Sequence, residues 1–220
     1  MYLTRFDVNP ARRQAKILLG SPQAMHSAVM HSFPPASLES APTGRVLWRL
    51  DRDDHRTQLY LTSPVPPDLT HLVEQTGWPT TSTWQTRDYR PLLGRLATGQ
   101  RWAFRVAANP SHCIRTDESQ RQTKPTAHIT LAHQKNWLLH RAASRGFRVA
   151  EDPQGRPCLA VRDRALLRFE RHGTTVSIST AVFDGELEIT DADLVRHLLT
   201  HGLGRAKAYG CGLLTLAPLA

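Results

Sequence analysis

The chain has 220 residues, 40% of them hydrophobic, enough for one large core or two smaller ones of roughly 100 residues each, and no stretch approaches the ~20 apolar residues of a membrane span. Its formal net charge of +9 and pI near 10.2 favour a polyanionic partner, of which nucleic acid is the common one. Cys113, Cys158 and Cys211 are odd in number and lack a Cys-x-x-Cys, so neither a disulfide framework nor a zinc knuckle is indicated.

Met1–Val8 alternates as a strand, and its opening Met1-Tyr-Leu-Thr-Arg-Phe has no basic segment followed by an apolar run, so a cytoplasmic protein is expected. Ser21-Pro22 reads as an N-cap with proline at the first helical position, opening a helix to about Phe33. Strands follow at Arg45–Leu50 and Gln58–Thr62 around the charged turn Asp51–His55. A short helix spans Leu69–Thr76, closed by Gly77, and a fourth strand spans Ser82–Tyr89. Strand, helix, strand, strand, helix, strand is the order of a ferredoxin-like unit, the topology of the RNA-recognition motif.

After a linker at Pro91–Gly99 the order recurs. Arg101–Ala108 is a strand, Ser111–Thr126 a long flexible loop carrying Arg115, Arg121 and Lys124, and Leu131–Arg145 a helix. Phe147–Ala150 is a strand. Arg164–Phe169 and Val176–Phe183 form a hairpin through Arg171–Gly173, Gly185–Ile189 extends the sheet, Asp191–His201 is a helix and Leu213–Leu216 closes the unit. The expected fold is therefore α+β, two tandem ferredoxin-like βαββαβ domains over residues 1–92 and 98–220, with a C-terminal glycine-rich loop. Residues 101–182 carry 14 Lys+Arg against 6 Asp+Glu, an excess of +8, so the electrostatic footprint falls on the second unit.

The loop after the last helix, His201-Gly-Leu-Gly-Arg-Ala-Lys-Ala-Tyr-Gly-Cys-Gly212, holds Gly202, Gly204, Gly210 and Gly212 with Arg205 and Lys207. Glycines allow positive φ and close approach, so the loop reads either as backbone brought up to phosphate or as a long turn with two solvated cations. His197 and His201, at i and i+4, read either as a zinc pair in a metal hydrolase or as the polar face of an amphipathic helix; no glutamate follows His197 and no third ligand is evident.

Together these residues resemble the CasE endoribonucleases, which process CRISPR precursor RNA in type I-E systems. The resemblance is carried by Met1-Tyr-Leu-Thr, by Met25-His26 with His31-Ser-Phe-Pro following, by Phe104-Arg-Val-Ala-Ala-Asn-Pro110, and by Gly202 through Pro218. It implies a metal- and cofactor-independent cut in which a ribose 2′-hydroxyl attacks the adjacent phosphate, leaving a 2′,3′-cyclic phosphate and a 5′-hydroxyl. It also implies that the repeat stem-loop RNA and other Cascade subunits are partners.

Family position puts catalysis on His26, which bare of that resemblance reads as a surface or capping residue; a histidine titrating near ~6.5 can act as acid or base. Gln23 stands where the family carries tyrosine, and it can hydrogen-bond but not exchange a proton at neutral pH. His31, about 140° further round an ideal helix, is a candidate for phosphate contact or a structural residue. Arg162, Arg164, Arg168 and Arg171 occupy the hairpin that in the family enters the groove of the stem, and otherwise read as a solvated strand face. A non-catalytic RNA-binding protein is the other reading, favoured by Gln23.

Overall fold

The computed structural model describes residues 1–41, 43–79, 84–115, 123–171 and 173–219. In β1 (Tyr2–Val8) Thr4, Phe6 and Val8 are buried and the residues between them half-buried, the period of a strand with one face on a core. Two helices follow: α1 (Arg13–Gly20), which burial of Ala15 and Leu18 holds in place, and α2 (Pro22–Met30). The expected cap is present, with Ser21 Oγ accepting the Ala24 N–H at 3.2 Å and Pro22 at the start. The helix ends at Met30 rather than Phe33, because Pro34 follows and the chain tightens into a turn where Phe33 N–H donates to the Met30 carbonyl.

A short helix, α3 (Pro35–Glu39), precedes β2 (Leu47–Arg52) and β3 (Thr57–Ser63); α4 (Thr70–Thr76) and β4 (Trp84–Asp88) complete the first layer pair. Ser82 and Thr83, expected in the fourth strand, lie outside the described residues. The sheet runs β2-β3-β1-β4, antiparallel throughout, with registers such as Phe6↔Leu59 and Phe6↔Trp84. Phe6, Val8, Met25, Val29, Leu59, Leu61 and Leu72 form one core, each fully buried side chain of this size contributing about 1.5–3 kcal/mol.

Pro91–Gly99, expected as a linker, instead contains α5 (Arg90–Arg95), with Pro91 in its first turn. Leu92, Leu93 and Leu96 pack on the second core, and Arg196 donates to the carbonyls of Leu93 (2.8 Å) and Leu96 (2.6 Å). Next comes β5 (Arg101–Ala108). The segment expected as a long flexible loop is a hairpin, β6 (Ser111–Arg115) against β7 (Thr123–Ala127), in register from Ser111↔Ala127 to Arg115↔Thr123. Its polar sequence hid the pairing: a two-stranded ribbon needs no apolar alternation, and it tolerates Pro125 because an edge does not require every N–H. Residues 116–122, Arg121 among them, lie outside the described residues.

Beyond the ribbon are α6 (Leu131–Ala143), β8 (Phe147–Val149), β9 (Leu159–Arg171), β10 (Thr174–Ile189), α7 (Ala192–His201) and β11 (Leu214–Ala217). The second sheet runs β11-β5-β10-β8, with β9 pairing β10 on the edge that β8 continues. Val176–Phe183 and Gly185–Ile189, expected as separate pieces, are one 16-residue strand. Gly185 permits this, since a Cβ there would stand 2.3 Å from the Cys158 carbonyl oxygen. The long hairpin is bent where the register shifts between Thr180 and Val182, opposite Asp163 at φ 48°.

The two sheets are locked by Arg49 on β2, which is only 2% exposed. Its Nε and Nη2 bind the Asp51 carboxylate at 2.6 and 2.9 Å, Nη1 reaches the carbonyls of Arg105 and Leu213, and Nη2 also reaches Thr215 Oγ1. Every guanidinium donor is thereby used, which is what allows the charge to be buried. Among the described residues no helix is long and apolar enough to cross a membrane.

Candidate active site

Gln23 and His26 are three residues apart and so share one face of α2. The buried Met25 and Val29 pin the helix to the first core while His26 itself is half-buried. His26 Nδ1 is out of solvent and has no hydrogen-bond partner among the described residues. Burial, and secondarily the positive charge of Arg171 at the end of β9, lowers its pKa below the usual imidazole value. Both effects favour the neutral imidazole over the imidazolium.

The glycine loop meets α2 through its one 3₁₀ turn, Lys207–Tyr209. Tyr209, which the sequence reading did not single out, packs its ring 4.7 Å from Phe169 of β9 and so ties loop and hairpin together beside α2. The available signal was a lone aromatic between glycines. A cavity of about 420 Å³ opens at this junction, lined among others by Pro22, Met25, Trp48, Leu167, Tyr209 and Gly210.

All four loop glycines have positive φ, between 74° and 92°. At Gly210 a Cβ would meet the Trp48 ring at 2.8 Å, and at Gly212 it would meet the Leu203 carbonyl at 2.8 Å. The close approach these glycines permit is thus to the protein's own core. Backbone N–H groups of Gly204, Arg205 and Ala206 have no partner among the described residues and remain as donors.

The hairpin arginines divide. Arg162 is paired with Asp184, and Arg164 donates to Gln134 Oε1 at 2.9 Å and to the Ile129 carbonyl, tethering β9 to α6. Arg168 and Arg171 are exposed and have no ion pair or hydrogen bond among the described residues. His172, between the strands, lies outside them.

The loop cations group elsewhere: Arg205 donates to Cys113 Sγ at 3.4 Å, and Lys207 stands with Arg45 and Arg145. His31 is exposed and caps α2, facing a depression with Gln14, His71 and Gln75 between α1, α2 and α4. α2 ends at Met30 with His31 following as its C-cap in helical backbone conformation, and the depression that His31 lines does not include His26.

The rings of His197 and His201 stack in parallel 4.0 Å apart, and His201 Nδ1 lies 2.9 Å from Thr200 Oγ1. Among the described residues no group of three or more His, Cys, Asp or Glu side chains is arranged to hold a metal ion.

Residues 1–218 match the model of a CRISPR-associated protein family. The CRISPR-associated endoribonuclease Cse3 of Thermus thermophilus is 30% identical over 226 residues, covering 99% of this chain and 100% of that one. The Cascade subunit CasE of Escherichia coli is 30% identical over 136 residues, 57% of this chain and 62% of that one. A structure of the endoribonuclease Cse3 bound to a 19-nucleotide RNA superposes with a TM-score of 0.81 at 29% identity, over 99% of this chain and 100% of that one.

Proposed function

Because the chain belongs to the CRISPR-associated protein family that includes Cse3 and CasE, we propose that it is an endoribonuclease that binds the CRISPR repeat stem-loop and cuts precursor RNA into guide RNA. It acts in the cytoplasm, alongside other Cascade subunits, without metal or cofactor. Two tandem ferredoxin-like units, residues 1–92 and 98–220, carry it; the strand orders β2-β3-β1-β4 and β11-β5-β10-β8 support that division, each placing the first and third strands of a βαββαβ unit at the centre.

The observation that carries the mechanism is the half-buried His26 imidazole on α2, whose pKa is lowered by burial and by the charge of Arg171 on the basic hairpin. The 2′-hydroxyl gives its proton to His26 and attacks the phosphorus, forming the cyclic phosphate. The P–O5′ bond breaks and the departing oxygen takes up a proton to become the 5′-hydroxyl. Burial keeps the imidazole in the neutral form that can accept a proton, and the phosphorane needs positive charge, which Arg171 supplies. Gln23 orients the hydroxyl through a neutral hydrogen bond. The observation favouring a non-catalytic RNA-binding protein is the missing phenol at Gln23; wild-type protein that binds repeat RNA and leaves it full-length would establish that reading instead.

Binding tests the placement of the stem. Arg168→Ala and Arg171→Ala together are expected to weaken affinity for the repeat stem-loop more than Arg13→Ala, and to lower the slope of log affinity against log salt by about 2, at ~0.9 per phosphate contact. Arg13 is the apt comparison because it is exposed, whereas its neighbour Arg12 donates to the Glu74 carbonyl. Silent hairpin arginines beside a damaging Arg13→Ala would put the stem on the first unit.

The pH profile tests His26 as base. In kcat/KM, which reports the free enzyme, activity is expected to rise with pH through a pKa below 6.5 and then level off. Arg171→Ala removes a cation that disfavours the imidazolium, so the rising limb should move to higher pH. The move is partial, since burial is the larger cause. An unmoved limb would separate Arg171 from the titrating group.

A further inference from the structure

Five basic side chains from four parts of the chain converge on a face that the cleavage mechanism does not use. Arg45 precedes β2, Arg145 follows α6, His197 and His201 lie on α7, and Lys207 comes from the glycine loop. The Arg45 N–H donates to the Thr200 carbonyl at 3.0 Å, which sets this residue against the end of α7. Burial and then Arg45 and Arg145 depress the pKa of Lys207; burial and then His201, Arg145 and Lys207 depress that of His197. The charges felt by Lys207 and His197 are thus positive, with no carboxylate among the described residues acting on either. Arg145 Nε is buried without a hydrogen-bond partner.

Scattered surface cations are solvated and need no explanation, but here they crowd one another and one guanidinium nitrogen has lost water without gaining an acceptor. A bound anion would relieve both costs. The position selects the anion. Lys207 lies two residues from Tyr209 in one 3₁₀ turn, a rise of about 4 Å, and Tyr209 packs on Phe169 of the hairpin beside His26. The turn that carries Lys207 thus contacts α2, and through Tyr209 it touches the hairpin that bears Arg168 and Arg171.

We propose that Arg45, Arg145 and Lys207, with His197 and His201, form a phosphate-binding site for the single-stranded RNA that adjoins the scissile phosphate on the side away from the stem. The inference rests on the cleavage reading for its placement. The site itself is defined by the cluster.

The test compares two repeat RNAs, both 2′-deoxy at the scissile nucleotide so that they stay intact, one ending just past that nucleotide and one continuing as single strand. Arg45→Gln/Arg145→Gln is expected to weaken the extended RNA about tenfold and lower its salt slope by about 1.4, at ~0.7 per single-strand contact, while the short RNA binds as to wild type. Unchanged affinity for the extended RNA would overturn the proposal, as would an equal loss on both RNAs. Arg45→Gln alone, at an exposed position, should show part of the loss and guards against misfolding of the double variant. A uridine homopolymer, measured in parallel, needs no repeat recognition. If wild type cuts no repeat RNA yet the double variant loses homopolymer affinity, the cleavage reading fails and the phosphate site stands.

Discussion

Replacing His26 with alanine is expected to slow single-turnover cleavage of the repeat stem-loop by ~10²–10⁴ while its affinity stays within a few-fold, because one positioned proton-transfer group carries that much of the barrier and binding is spread over many cations. The helix should survive the change. Met25 and Val29, not His26, anchor α2 in the core, and alanine is the strongest helix former. The deleted imidazole has an unsatisfied Nδ1 in the protein as it stands, so no internal hydrogen bond to that atom is lost. Quench-and-gel assays with enzyme in excess, run beside filter binding and a melting curve, separate the terms. Cleavage close to the wild-type rate would remove His26 from the mechanism, and a fall in affinity matching the fall in rate would make it a binding residue.

The strands that flank each core were legible because burial forces alternation onto them: Met1–Val8 and Arg101–Ala108 appear almost at their observed bounds. The segments that were missed lack such a pattern of their own. Helices α1, α3 and α5 span 8, 5 and 6 residues, too short to be stable alone, and exist because neighbours hold them. Arg196, about 100 residues beyond α5, satisfies the carbonyls of Leu93 and Leu96. The ribbon of β6 and β7 is likewise a matter of pairing rather than composition.

For the site, residue type was readable and employment was not. Four arginines on the hairpin look equivalent in sequence, yet Arg162 and Arg164 are engaged by Asp184, Gln134 and the Ile129 carbonyl while Arg168 and Arg171 remain free among the described residues. Which cation is engaged depends on partners 20 or more positions away. The same holds for Lys207, whose neighbours Arg45 and Arg145 lie far off in the chain. The glycine loop stands out in the sequence, but part of its glycine content answers to Trp48 and Leu203 rather than to a ligand.

Removing the attacking hydroxyl should have an effect larger than any side-chain change. With hydrogen in place of the 2′-hydroxyl at the scissile nucleotide, cleavage is expected to stop completely, whereas the natural RNA should be cut at an unchanged rate in EDTA. The reasoning is one of atom balance: the proposed nucleophile belongs to the substrate, so no residue of the protein and no water can substitute for it, and the two new ends must be a 2′,3′-cyclic phosphate and a 5′-hydroxyl. In the proposed mechanism the protein's part is to hold the hydroxyl in line with the departing oxygen, accept its proton at His26 and face the phosphorane with Arg171. Deoxy-substituted RNA should still bind, since its phosphates are intact, and should act as a competitive inhibitor of natural RNA. Cutting of the deoxy RNA would mean that water is the nucleophile. Loss of activity in EDTA, restored by a divalent cation, would mean that a metal activates it, and either result would transfer His26 from proton acceptor to some other role.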